Sequence, residues 1–155
     1  MRRRVIGLLL VLMLLGCASP SPPGPNPGRI QPGVGVEEVR LGADRAEVEA
    51  RLGQPDETET NPFNARNTLA LYHGKGLEIS YDGDKVGTVV LHPTLPPWVA
   101  YQGSTVEGVW VGSNIDGVKK ALGPPAKELL QALIYPGLWI RLDSQGRIES
   151  ISLGN

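Results

Sequence analysis

The feature that most constrains how this chain can fold is that it repeats itself. Val39-Arg40-Leu41-Gly42-Ala43-Asp44, followed by Val48, Leu52-Gly53 and Pro55, recurs seventy residues later. The second copy reads Val109-Trp110-Val111-Gly112-Ser113-Asn114, followed by Val118, Leu122-Gly123 and Pro125. Further on, Ala70-Leu71-Tyr72 and Gly76-Leu77-Glu78-Ile79-Ser80-Tyr81-Asp82 are matched by Ala132-Leu133-Ile134 and Gly137-Leu138-Trp139-Ile140-Arg141-Leu142-Asp143. Residues 86–91 correspond in the same way to residues 148–153. A chain with this pattern is expected to build one supersecondary unit twice.

Each copy reads as a short strand, a helix and a three-stranded meander. Asp44 with Glu47 forms a capping-box pattern, and Ser113 with Asp116 is a similar pair, so each helix has a start signal. Gly53 and Gly123 supply the left-handed stop, and Pro55 and Pro125 prevent continuation. Val48 with Leu52, and Val118 with Leu122, place one apolar face on each helix. In the strands, Leu77, Ile79 and Tyr81 alternate with Glu78 and Ser80, while Leu138, Ile140 and Leu142 alternate with Trp139 and Arg141. That period of two predicts a sheet with one buried and one wet face. Asp82-Gly83-Asp84 and Asp143-Ser144-Gln145-Gly146 have the composition of hairpin turns. The expected fold class is α+β: two tandem units, residues 36–91 and 105–155, each a short helix packed on a small antiparallel β-sheet, joined by a linker at 92–104.

Ahead of the repeats, Arg2-Arg3-Arg4 precedes an apolar run of about eleven residues interrupted only by Gly7, the charged and hydrophobic parts of a secretory leader. The run is too short to span a bilayer as a lone helix. It ends in Leu14-Leu15-Gly16-Cys17, which resembles the bacterial lipobox, so residues 1–16 read as a signal peptide and Cys17 as the site of lipidation. Cys17 is also the one cysteine in the chain, which leaves an exported domain without a disulfide. Residues 18–35 are rich in Ser, Pro and Gly and favour extended polyproline conformations at roughly 3.1 Å per residue. Residues 17–35 are thus expected to be a lipid anchor and tether. Under the sorting rule of diderm bacteria, Ala18 in place of an aspartate points to the periplasmic face of the outer membrane.

Composition excludes several functions. Lys and Arg number 15 and Asp and Glu 16; three of the arginines lie in the leader, so the remainder carries a charge of about −4. Such a chain lacks the basic footprint of a nucleic-acid binder. His73 and His92 have no second histidine or cysteine at ligand spacing, so neither a metal nor a cofactor is expected. Asp82-Gly83-Asp84 lacks the spacing and closing glutamate of an EF-hand. There is no G-x-S-x-G, phosphate-binding loop or dinucleotide fingerprint, and no catalytic residue is assigned.

What remains are aromatic residues in unusual places. Trp139 shares the parity of Arg141 and Glu78 on the expected wet face, and Trp110 is out of phase with Val109 and Val111. Trp98 and Tyr101 lie in the Pro-rich linker. Tryptophan on a wet face is over-represented at binding hot spots, so Trp139, Arg141, Trp110, Trp98 and Tyr101 are the candidate partner-binding residues. The alternative is that these rings fill the junction between the units. Arg40 and Glu78 occupy the matching positions in the first copy, which places an aromatic patch nearer the C-terminal unit.

The pattern of a strand ending in Gly, a cap, a Val and then Leu-Gly-x-Pro resembles two related groups: the SmpA/OmlA (BamE-like) outer-membrane assembly lipoproteins and the β-lactamase inhibitor protein (BLIP-like) family of tandem units. The resemblance covers nearly all of residues 36–153, but the disulfides of the inhibitor family are missing. It implies a sheet used as a docking surface. The expected function is therefore a non-enzymatic, lipid-anchored protein-binding or assembly-accessory module of the cell envelope, held to the membrane by its N-terminal lipid and contacting an envelope protein. The alternative is a sheet-based carrier or sensor of a small envelope ligand or peptidoglycan fragment.

Overall fold

In the computed structural model, which describes residues 26–154, most strands belong to one continuous antiparallel sheet. The elements run β1 (Ile30–Gln31), β2 (Gly35–Val36), α1 (Arg45–Leu52), β3 (Glu57–Thr60), β4 (Asn67–Tyr72), β5 (Leu77–Asp82) and β6 (Lys85–Leu91). They continue with α2 (Ile115–Leu122), β7 (Lys127–Leu129), β8 (Ala132–Tyr135), β9 (Leu138–Leu142) and β10 (Ile148–Gly154). The large sheet has eight strands in the order β3-β4-β5-β6-β10-β9-β8-β7, while β1 and β2 form a small hairpin of their own.

This corrects the expected fold class. Instead of two helix-on-small-sheet units, the described residues build one sheet-dominated structure with two eight-residue α-helices. The reason lies at the centre. β6 and β10 each close a meander and would each leave a row of unpaired N–H and C=O groups. They pair with each other instead, Leu91 opposite Ile151 and Val89 opposite Leu153, which satisfies both edges and merges two apolar faces into one core. The short strands expected before the helices do not form: Val39 and Val109 are buried within turns, with Val39 exchanging backbone hydrogen bonds with Val36. The strands β3 and β7, not expected from the sequence, make each meander four-stranded.

Val48 and Val118 pin the helices to the buried face of the sheet, among Ile79, Leu91, Leu138, Ile140 and Ile151, none of which is appreciably exposed. Burial of each such side chain contributes roughly 1.5–3 kcal/mol. The helix ends are tied down by phenols: the Tyr72 hydroxyl donates to the Gly53 carbonyl at 3.2 Å, and the Tyr135 hydroxyl to the Gly123 carbonyl at 3.1 Å. Gly53 and Gly123 have φ of 86° and 76° with ψ of −174° and −164°, a positive-φ extended conformation open to glycine and not the left-handed helical stop expected. The start signals work differently from expectation. Asp44 holds the cap position of α1, but its carboxylate pairs with Lys85 at 2.9 Å. For α2 the cap is Asn114, whose Oδ1 accepts from the Gly117 N–H at 2.7 Å, while Ser113 Oγ accepts from the Trp110 N–H.

Residues 1–16, Cys17 and the first part of the tether lie outside the described residues. Within the later part, Ile30 is buried in the core, and the Gly33 N–H donates to the Gly137 carbonyl at 3.1 Å. Among the described residues no helix is long and apolar enough to cross a membrane.

Candidate functional site

The registers align one row of side chains across the whole sheet, on the face opposite the core: Glu57, Leu71, Glu78, Val90, Ser152, Trp139, Ile134 and Lys127. Parity decides this, because β9 puts Leu138, Ile140 and Leu142 inward and therefore Trp139 and Arg141 outward. Trp139 is 59% exposed with Ile134 and Ser152 beside it. Leu129 and Leu130, 46% and 97% exposed, extend the apolar surface to the β7–β8 turn. Arg141 stands opposite Ser150 and makes only a loose ion pair, 3.9 Å, with Glu149.

The other candidate aromatics do not join this patch. Trp98 is half-buried: its indole stacks on His92 with ring centroids 3.9 Å apart, and His73 meets it edge-on at 4.6 Å. His92 Nε2 lies 3.2 Å from Glu78 Oε2, so the linker is held against one end of the open face. Trp110 packs against the core and folds back over Gly112, where an added Cβ would come within 2.4 Å of the indole. Tyr101 is buried, 3% exposed, and donates its hydroxyl to Glu38 Oε2 at 2.9 Å. Burial pushes that phenol up to about 12. Of the five candidates, then, Trp139 and Arg141 are exposed together, while Trp98, Trp110 and Tyr101 serve internal packing.

A second feature escaped the sequence. A cleft of about 520 Å³ opens between the Pro93–Leu95 stretch of the linker, the Val111–Asn114 loop before α2, and the β9–β10 turn. Its base is Val111 and Ile148, both buried, and its rim carries Thr94, Ser113, Asp143, Arg147 and Glu149. Asp143 accepts from the backbone N–H groups of Arg147 and Gln145 and from Arg147 Nε at 2.7 Å. Those backbone donors, first that of Arg147, hold its carboxyl below the usual range, with the guanidinium adding to the effect. Glu149 sits where the β9–β10 register shifts, so a bulge turns its side chain out of the alternation. The corresponding irregularity between β5 and β6 carries Gly87, which has no side chain to offer. Turn composition marks Asp143 in the sequence, but nothing there singles out Arg147 or reveals that the linker lies beside them.

Among the described residues no group of three or more His, Cys, Asp or Glu is placed to hold a metal. No family model and no curated protein matches the chain. Solved structures similar to the chain include two from bacteria. One is a cysteine-rich secretory protein from Staphylococcus aureus, with a TM-score of 0.51 and 15% identity over 84% of this chain and 47% of that one. The other is an extracellular protein containing an SCP domain from Bacillus anthracis, with a TM-score of 0.49 and 12% identity over 74% and 44%. The chain spans less than half the length of either neighbour, and at this identity the Staphylococcus aureus likeness establishes fold alone.

The Staphylococcus aureus likeness corrects the family expectation: the fold it shares is that of a cysteine-rich secretory protein, not of a BamE-like assembly lipoprotein or a BLIP-like inhibitor. With that family goes the expected picture of a repeat-built, palmitate-bearing lipoprotein of the outer membrane, which neither the single sheet nor that neighbour supports; Cys17 itself lies outside the described residues. Short motifs such as Leu-Gly-x-Pro mark how a helix ends before a strand, and unrelated sheet proteins need that same turn.

Proposed function

We propose that this chain is an exported binding module whose protein partner docks on the open face of the sheet, around Trp139. The observation that carries this is the exposed indole standing between Ile134 and Ser152, with Leu129 and Leu130 beyond. Water-exposed tryptophan is costly unless covered, and a docked partner needs roughly 800 Å² of such a face. Export is supported by the leader-like residues 1–16 and by a fold neighbour that is a secretory protein. The finer placement rests on the sequence alone: lipid attachment at Cys17 would hold the domain at the cell envelope and present the face to an envelope protein. The test is in-cell crosslinking of the full chain beside Trp139→Ala, with circular dichroism and Tm confirming that the variant is folded. One envelope protein recovered with the parent and reduced at least tenfold with the variant is the expected result. Equal recovery by both sinks the reading. Mass analysis of the N-terminal peptide decides the Cys17 attachment separately.

One observation favours a second reading. The 520 Å³ cleft falls in the size range of small-molecule sites, so the protein is also read as a carrier or sensor of a small envelope ligand. Trp139→Ala then leaves ligand binding unchanged.

A further inference from the structure

We infer that the cleft between the linker, the α2 loop and the β9–β10 turn is a site for an uncharged oligosaccharide; this assignment rests on the small-ligand reading above. Three properties of the cleft select that chemistry. First, its charges are matched: Arg147 is engaged by Asp143 at 2.7 Å, and Glu149 faces Arg141 at 3.9 Å. A phosphate or a free carboxylate would meet the carboxylates of Asp143 and Glu149 beside the one guanidinium of Arg147, with no unmatched positive charge to hold it. Second, the adjacent strands β9 and β10 are interior to the sheet, each paired on both sides, so no free edge offers a peptide main chain a ladder of hydrogen bonds. Third, the surface is divided as a sugar ring is divided. Val111, Ile148, Pro93 and Leu95 form an apolar base and wall for the C–H face of a pyranose.

The rim groups then match hydroxyls. Hydroxyl groups both donate and accept, and the rim holds both kinds of partner. The Glu149 carboxylate accepts, the outer nitrogens of Arg147 donate, and the Thr94 hydroxyl does either. Ser113 Oγ accepts from the Trp110 N–H at 3.0 Å and keeps its own proton to donate. Glu149 is the extra residue at the β10 register shift, exposed beside the buried Ile148, and lines the cleft there. An uncharged sugar with an apolar ring face is the ligand class that uses the base and the rim together.

The experiment is amide NMR of the isotopically labelled full chain titrated with chitotriose, maltotriose and trialanine, repeated on Glu149→Ala and Thr94→Ala. Both substitutions replace exposed side chains and leave the core untouched. The expected result is saturable shifts at Thr94, Ser113 and Glu149 with at least one trisaccharide, and affinity lowered at least tenfold in both variants. If trialanine moves those resonances and neither sugar does, the saccharide assignment is overturned while the small-ligand reading stands. If none of the three probes moves them, both are overturned.

Discussion

The indole of Trp98 lies on the imidazole of His92, their planes 11° apart, and His92 Nε2 in turn lies 3.2 Å from Glu78 Oε2, so the stack joins the linker to β5. The turn that delivers Trp98 is closed by reciprocal backbone hydrogen bonds with Leu95, and Leu95 and Pro93 in turn wall the cleft. Trp98→Ala should therefore lower unfolding stability by about 2 kcal/mol, from the lost aromatic pair and its packing. Limited proteolysis should cut within residues 92–104 sooner than in the parent. Unchanged cleavage would show that the linker is held by other contacts.

The two phenol-to-carbonyl bonds are separable from packing by a minimal change. Tyr135→Phe and Tyr72→Phe each remove one hydroxyl and leave the ring in place. Each should cost about 0.5–1.5 kcal/mol by urea denaturation. Because the bonds lie in different halves of the sheet, the double variant should show the sum of the two losses. A double variant far from that sum would mean the helix ends are coupled through the central β6–β10 pair.

Alkali should destabilise the fold partly through Tyr101. Burial raises its phenol to about 12 in the folded chain against an ordinary value of 10.0. A raised folded value means that the stability it contributes is complete below pH 10 and is lost as the pH climbs toward 12. Tyr101→Phe cannot ionise, so its loss of stability over that window should be shallower than the parent's. The neutral-pH cost should be about 1 kcal/mol for the lost bond to Glu38. Parallel curves for parent and variant would remove Tyr101 from the alkaline limb.

Gly137 is expected to tolerate no side chain. Its φ is 70°, and a Cβ would come within 2.2 Å of the Gly33 nitrogen, where the N-terminal segment crosses the β8–β9 turn. Gly137→Ala should cost more than about 2 kcal/mol, from the left-handed backbone and the clash together. Gly83→Ala, with a similar φ of 60° but open space around it, should cost less. The difference in their Tm isolates the crossing contact, and equal losses would mean that backbone conformation alone sets both.

The alternation in Leu77-Glu78-Ile79-Ser80-Tyr81 and in Leu138-Trp139-Ile140-Arg141-Leu142 determined two strands and which way each side chain points, because successive residues of a strand must face opposite sides. Gly53 and Gly123 determined where the helices stop, because the positive φ at each helix end is a local requirement that glycine meets. From those signals alone the outward placement of Trp139 and Arg141 followed.

Only the tertiary structure decided that β6 meets β10, since pairing of two strand edges is a long-range event that no local pattern encodes, and this made one sheet from what read as two. It also decided that Trp110 and Tyr101 turn inward and that Trp98 lies on His92, because the linker residues have no periodicity to orient them. The cleft belongs to the same class: Thr94, Ser113 and Glu149 are far apart in the chain, and they meet because a linker, a helix-leading loop and a bulged strand converge. Local chemistry set the elements and their faces, and the pairing of distant edges set the surfaces available for binding.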